Sequence, residues 1–144
     1  MIHGDTVELL KECNSGIKMG IASIEEVLEK VKDGAFLRVL DSSKEEHRKL
    51  GEETQRLLNK YGDSGKEPNA VAKGMSWFKT NVMLAVNESD RMIAGLIYDG
   101  CNMGIKSLNQ YLNKYEAAEE KVKDIAKKLI AVEKKLSDDI NRYL

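Results

Sequence analysis

The chain has one proline, two cysteines and two histidines in 144 residues, and only 6% of it is aromatic. With a single proline, little interrupts helix formation, because proline is the residue that removes a backbone donor and clashes with the preceding turn. Neither cysteine belongs to a C-x-x-C pair, so a zinc or thioredoxin-type motif has no support. Free thiols in a reducing, cytoplasmic setting are expected instead. Two histidines, one of them at position 3, leave little for hydrolytic catalysis. The sequence has no glycine-rich phosphate loop, no Ser-His-Asp order and no dinucleotide fingerprint.

No apolar run approaches the roughly 18 residues of a membrane-spanning helix. The opening Met1-Ile2-His3-Gly4-Asp5 has neither the basic nor the apolar part of a secretory leader. Charge is balanced, with 23 basic against 24 acidic side chains, a net of −1 and no basic stripe. Neither nucleic acid nor membrane is an expected partner. What remains is a chain 42% hydrophobic and 33% charged, the composition of amphipathic helices. At this length one domain, 1–144, is expected.

Apolar periodicity gives four long helices. The first begins at Asp5 or Thr6, with Glu8 completing a capping box, and carries Leu10, Cys13, Ile17, Ile21, Ile24, Leu28 and Val31 on one face. Asp33-Gly34 breaks it. A second helix over 35–61 turns Phe36, Leu40, Ser43, His47, Leu50, Thr54 and Tyr61 inward, with an unusually polar middle. Residues 62–69 read as a loop, followed by a short helix over 70–84 that carries Met75, Trp77, Phe78, Val82 and Met83. A third helix starts near Asn87 with Ile93, Ile97, Cys101, Ile105, Leu108 and Leu112 as its stripe. Glu116-Ala117-Ala118 forms the next turn, and the fourth helix carries Val122, Ile125, Leu129, Val132, Leu136 and Ile140.

The string Cys13-Asn14-Ser15-Gly16-Ile17-Lys18 returns with one change as Cys101-Asn102-Met103-Gly104-Ile105-Lys106, each copy heading a helix pair. That pattern predicts a duplicated helical hairpin. The connection over 62–87, about 26 residues, is long enough to run the length of a bundle. The fold class is therefore all-α: two hairpins joined by a long crossover that contains a short helix, the ferritin-like four-helix arrangement.

The stretches 14–20 and 50–61, the linker Gly62-Asp63-Ser64-Gly65, Trp77-Phe78-Lys79 and Asp99-Gly100 carry a resemblance. On them the chain resembles the ferritin-like superfamily, and more closely a bacterial ferritin-like domain family of unknown function. The resemblance implies a di-metal centre of iron or manganese, built from a Glu on each of two helices and a Glu-x-x-His on each of the others. Position by position the ligands are mostly replaced: Asn14 and Asn102 stand for two carboxylates, Lys44 precedes His47, and Leu136 follows Glu133. Only His47 and Glu133 remain as remnant metal positions. The reading is a degenerate metal centre with no cofactor, in a non-catalytic protein that acts in structural, interaction or stress roles. A metal- or redox-active bundle using His47 and Glu133 is the alternative.

Each remaining feature has two readings. His47 is either a neutral core imidazole bonded to Thr, Ser or a carbonyl, or a ligand or acid–base group facing Glu133, itself expected at a wet boundary. Cys13 and Cys101 either pack or form a redox pair across the pseudo-twofold, where Asn14 and Asn102 would meet as an interior polar site. The Gly16/Gly20 and Gly100/Gly104 pairs bring helices close, or else leave room for a ligand if a cavity exists at their level. The Trp77 cluster covers the bundle or forms a homodimer surface.

Overall fold

A computed structural model describes residues 2–63, 68–84 and 89–144, and all regular structure among them is helical. Five helices follow in order: α1 Ile2–Leu28, α2 Gly34–Lys60, α3 Pro68–Leu84, α4 Asp90–Lys114 and α5 Glu120–Ile140, with a closing 3-10 turn at Asn141–Tyr143. The loop expected at 64–67 and the capping role expected of Asn87 lie outside the described residues.

The long helices form where the apolar spacing puts them, and their ends are fixed by side chains. Asp33 caps α2 by accepting from the Phe36 amide at 3.0 Å, which satisfies a donor that no helical carbonyl can reach. Gly62, at φ +71°, takes the left-handed conformation that follows α2. Ser89 caps α4 by accepting from Met92. α1 begins at Ile2 rather than at Asp5, because Asp5 and Thr6 serve another turn. Asp5 Oδ2 accepts from the Ala117 amide and Thr6 Oγ1 from the Glu119 amide, so the start of α1 holds the α4–α5 turn. Reciprocally, Asp90 at the start of α4 accepts from the amides of Lys32 and Asp33 and holds the α1–α2 turn.

These contacts fix the topology. α1 pairs with α2 and α4 with α5, while α2 packs on α5 and α1 on α4. Tyr61 meets Glu119 while Glu46 meets Lys135, so α2 and α5 run antiparallel. α2 ends beside the start of α1, where Lys11 pairs with Asp63. α4 starts at the opposite end, beside the α1–α2 turn. The connection between α2 and α4 therefore travels the length of the molecule, and α3 lies on α1 and α4 along the way.

The core has two apolar halves. One gathers Ile24, Val27, Phe36, Leu40, Ile93, Ile97, Leu136 and Ile140, with Met75, Phe78 and Val82 of α3. The other gathers Leu9, Leu10, Ile17, Leu50, Leu58, Leu108, Val122, Ile125 and Leu129. On every long helix the step from one half to the other crosses a residue that is polar or has no side chain: Gly20 on α1, His47 on α2, Gly104 on α4 and Glu133 on α5. The expected α3 cluster divides: Met75, Phe78 and Val82 are buried, while Trp77 and Met83 are exposed.

Candidate functional site

The layer between the halves is closed by one bonded pair. His47 Nε2 lies 2.6 Å from Glu133 Oε1, and its Nδ1 lies 2.7 Å from the Ser43 backbone carbonyl oxygen. Both helices bring these groups inward by ordinary spacing. His47 sits at the i+4 and i+7 positions of Ser43 and Leu40, and Glu133 falls between Leu129 and Leu136. His47 is fully buried and Glu133 is 9% exposed.

A carbonyl oxygen can only accept, so Nδ1 donates to Ser43. Nε2 faces a carboxylate oxygen, so it donates as well when that oxygen carries no proton. Both ring nitrogens are thus engaged, and against an ionised Glu133 the ring is an imidazolium rather than the neutral core imidazole among the sequence readings. Burial by itself pulls the His47 pKa down, but the Glu133 hydrogen bond and charge, the Ser43 carbonyl and the Glu46 charge outweigh it, and the net shift is upward from 6.5.

Gly20 makes room for this ring. A Cβ there would stand 2.7 Å from His47 Cδ2 and Nε2, closer than a real contact allows. The other glycines of the two pairs behave differently: a Cβ on Gly16 or Gly104 would meet its neighbour at an ordinary 3.7 Å, and one on Gly100 would meet nothing within 4 Å. Of these four, only Gly20 is demanded by close approach. Gly16, Gly100 and Gly104 instead border open space.

That space is a cavity of ≈ 400 Å³ between α1, α3 and α4, with His47 and Glu133 at its floor. Trp77 and Met103, 46% and 57% exposed, stand at its mouth. Glu12 and Tyr111 form another part of the wall. The Tyr111 hydroxyl donates to the Glu12 carboxylate, which with burial pushes its pKa up to about 12. Sequence reading passed over Glu12 and Tyr111, and it set Glu133 in water by giving Val132 the inward place on α5. The spacing Leu129, Glu133, Leu136, Ile140 was the available signal.

The interior site expected from Asn14, Asn102, Cys13 and Cys101 does not assemble. Asn14 is buried, but Asn102 is exposed, since Cys101 takes the inward place on α4 and its successor rotates about 100° away. The repeated strings also meet different surroundings: α1 is packed by all four other helices, whereas α4 has an open flank. Cys13 and Cys101 are free and lie in opposite apolar halves. Burial, with the Glu12 charge, raises the Cys13 pKa to about 12. Burial and a hydrogen bond to Glu133 also push Cys101 upward. Thiols held this way are poor nucleophiles.

The donor set does not fit the di-metal centre that the resemblance implies. At the polar layer α1 contributes Gly20 and α4 contributes Gly104 with the Cys101 thiol, so the carboxylates such a cage requires are missing from both helices. Among the described residues no three His, Cys, Asp or Glu side chains converge to hold a metal ion. Nor is any described helix long and apolar enough to cross a membrane.

No protein-family model matches the chain, and no curated protein matches it. Among solved structures it is similar to the crystal structure of a DUF305 fragment from Deinococcus radiodurans, with a TM-score of 0.74 and 13% identity over 96% of this chain and 93% of that one. At that identity the likeness shows a shared helical fold and nothing about activity.

Proposed function

We propose that the chain is a single ferritin-like four-helix domain without enzymatic activity, in which the metal centre has given way to the His47–Glu133 pair and the space beside it receives a small organic molecule. The supporting topology is two antiparallel hairpins and a crossover running from one end to the other. The observation that carries the binding function is the cavity of ≈ 400 Å³ with the buried pair at its floor. Its volume falls within the range of about 300–1,000 Å³ common to small-molecule sites, and mostly apolar walls with few polar groups are the usual makeup of such sites.

Gly100 supplies the test, because a side chain there enters open space and leucine is the better helix former. The neutral fluorophore N-phenyl-1-naphthylamine is expected to bind the wild-type protein saturably at one site, with enhanced emission. Gly100→Leu is expected to lose that binding while keeping its melting temperature. Equal binding by the two proteins, or none by the wild type, contradicts the reading.

A further inference from the structure

The floor of the cavity sets what a ligand has to bring. Glu133 accepts from His47 through Oε1 at 2.6 Å and also receives the Cys101 thiol. A carboxylate offers about four acceptor positions, so these partners leave it capacity for a further donor. Its other oxygen, Oε2, faces α4 at Gly104, where a Cβ would stand 3.7 Å away and glycine supplies none. Gly104 and Glu133 both line the cavity, and Glu133 keeps 9% of its surface exposed. An entering N–H or O–H therefore meets an acceptor at this point. His47, as an imidazolium, already balances the carboxylate charge, so that donor need carry no charge of its own.

Elsewhere on the wall, polar groups are engaged within the protein: Ser23 Oγ donates to Met75 Sδ at 3.4 Å, and the Tyr111 hydroxyl donates to Glu12. The larger surfaces are rings and thioethers, from Trp77, Phe78 and Tyr111 with Met19, Met75 and Met103. Rings stack on, or meet edge to face, another aromatic group, and thioether sulfur makes favourable contacts with rings as well. A flat aromatic body that carries one donor suits both the walls and the floor. An aliphatic body would forgo the ring contacts. An aromatic body without a donor would cover Glu133 and give it no hydrogen bond in place of water, at a cost.

We propose that the ligand of this cavity is an aromatic molecule with an N–H or O–H that donates to Glu133 Oε2, its ring held between α1, α3 and α4. The assignment rests on the receptor reading above, and its test separates the two. Indole and 1-methylindole differ only in that the N–H of one is N–CH3 in the other. Each is titrated against the protein loaded with N-phenyl-1-naphthylamine. The comparison is made in the wild type and in His47→Leu combined with Glu133→Met, which exchanges the polar pair for apolar side chains.

Indole is expected to displace the probe from the wild type at least about threefold more tightly than 1-methylindole, because a hydrogen bond to a charged acceptor outweighs one added methyl group. In the double variant the order is expected to invert, since the acceptor is gone and the extra apolar surface then favours the methyl compound. Gly104→Ala serves if the double variant does not fold. Its methyl meets Oε2 at an ordinary 3.7 Å and is expected to bring the two compounds within about twofold of each other by obstructing the donor. Equal displacement of the wild-type probe, tighter displacement by 1-methylindole, or no displacement by either overturns the assignment and leaves the receptor reading standing. An indole preference that survives these variants overturns Glu133 as the acceptor. Absence of probe binding to the wild type overturns the receptor reading.

Discussion

A histidine that donates from both ring nitrogens is a cation, and that constraint has consequences at His47. Removing one member of a buried ion pair leaves the other uncompensated, at about 3–5 kcal/mol. His47→Leu is therefore expected to lower unfolding free energy by about that much, toward the lower end because Glu133 retains some solvent contact. His47→Leu combined with Glu133→Met removes both charges and fills the layer with apolar volume. It is expected to recover most of the loss in chemical denaturation, since hydrophobic replacement of a whole buried pair is often neutral or stabilising. A double variant that sums two full losses would deny the pairing.

The sign of the pH dependence follows from the same residue. Its folded pKa lies above the ordinary 6.5, so the folded state holds the proton more tightly than the unfolded chain does. The stability contributed by this site is complete below 6.5 and is lost as pH rises through the folded value. In denaturation across neutral to alkaline pH, the wild type is expected to lose stability relative to His47→Gln; parallel curves contradict this. Gly20→Ala probes the same ring from α1. The substitution gains roughly 1 kcal/mol of helix propensity, yet it drives a Cβ into an imidazole held by two hydrogen bonds. Net destabilisation of about 1–3 kcal/mol is expected from overpacking.

At the scale of elements, each hairpin closes the turn of the other. Asp5 and Thr6 satisfy amides of the α4–α5 turn, and Asp90 satisfies two amides of the α1–α2 turn at the opposite end. Hydrogen bonds to charged groups contribute about 1.5–3 kcal/mol when shielded; Asp90 is more exposed, so Asp90→Ala is expected to cost about 1 kcal/mol. Thr6→Val removes a fully buried acceptor and is expected to cost about 1–2 kcal/mol. The two sites share no partners, so their effects are expected to add in the double variant. A strongly non-additive result would mean that the turns are coupled through the crossover.

The elements were also the most readable part of the sequence. The four long stripes, the Asp33-Gly34 break and the inward polar face of α2 follow from periodicity and turn chemistry, and the helices lie where those signals put them. The site was readable only in part. His47 stood out because an imidazole occupied a position where an aliphatic residue packs best. Glu133 did not, because Val132 beside it made an equally good apolar stripe, and which of the two faces inward depends on how α5 rotates against α2. The cavity left no local signature. It exists because α3 covers α1 and α4 beside glycines that have nothing to fill the gap, a property of three segments far apart in the chain.

For the whole molecule, the two apolar halves are joined through a charged layer. The cavity opens beside that layer. The two buried thiols report on integrity at this scale, since Cys13 and Cys101 lie in opposite halves with pKa values raised by burial. Both are expected to react with a thiol reagent at neutral pH only at the rate of opening, and unfolding is expected to speed both together. Rapid reaction of either in the folded protein would show that its half is not closed. The central claim, that His47 is a buried imidazolium bonded to Glu133, is tested most directly by nitrogen NMR of the imidazole at neutral pH. The account predicts one-bond proton couplings on both ring nitrogens of His47, lost in Glu133→Gln from Nε2 or from the ring as a whole. A wild-type Nε2 without a proton, available as a metal ligand would be, contradicts it.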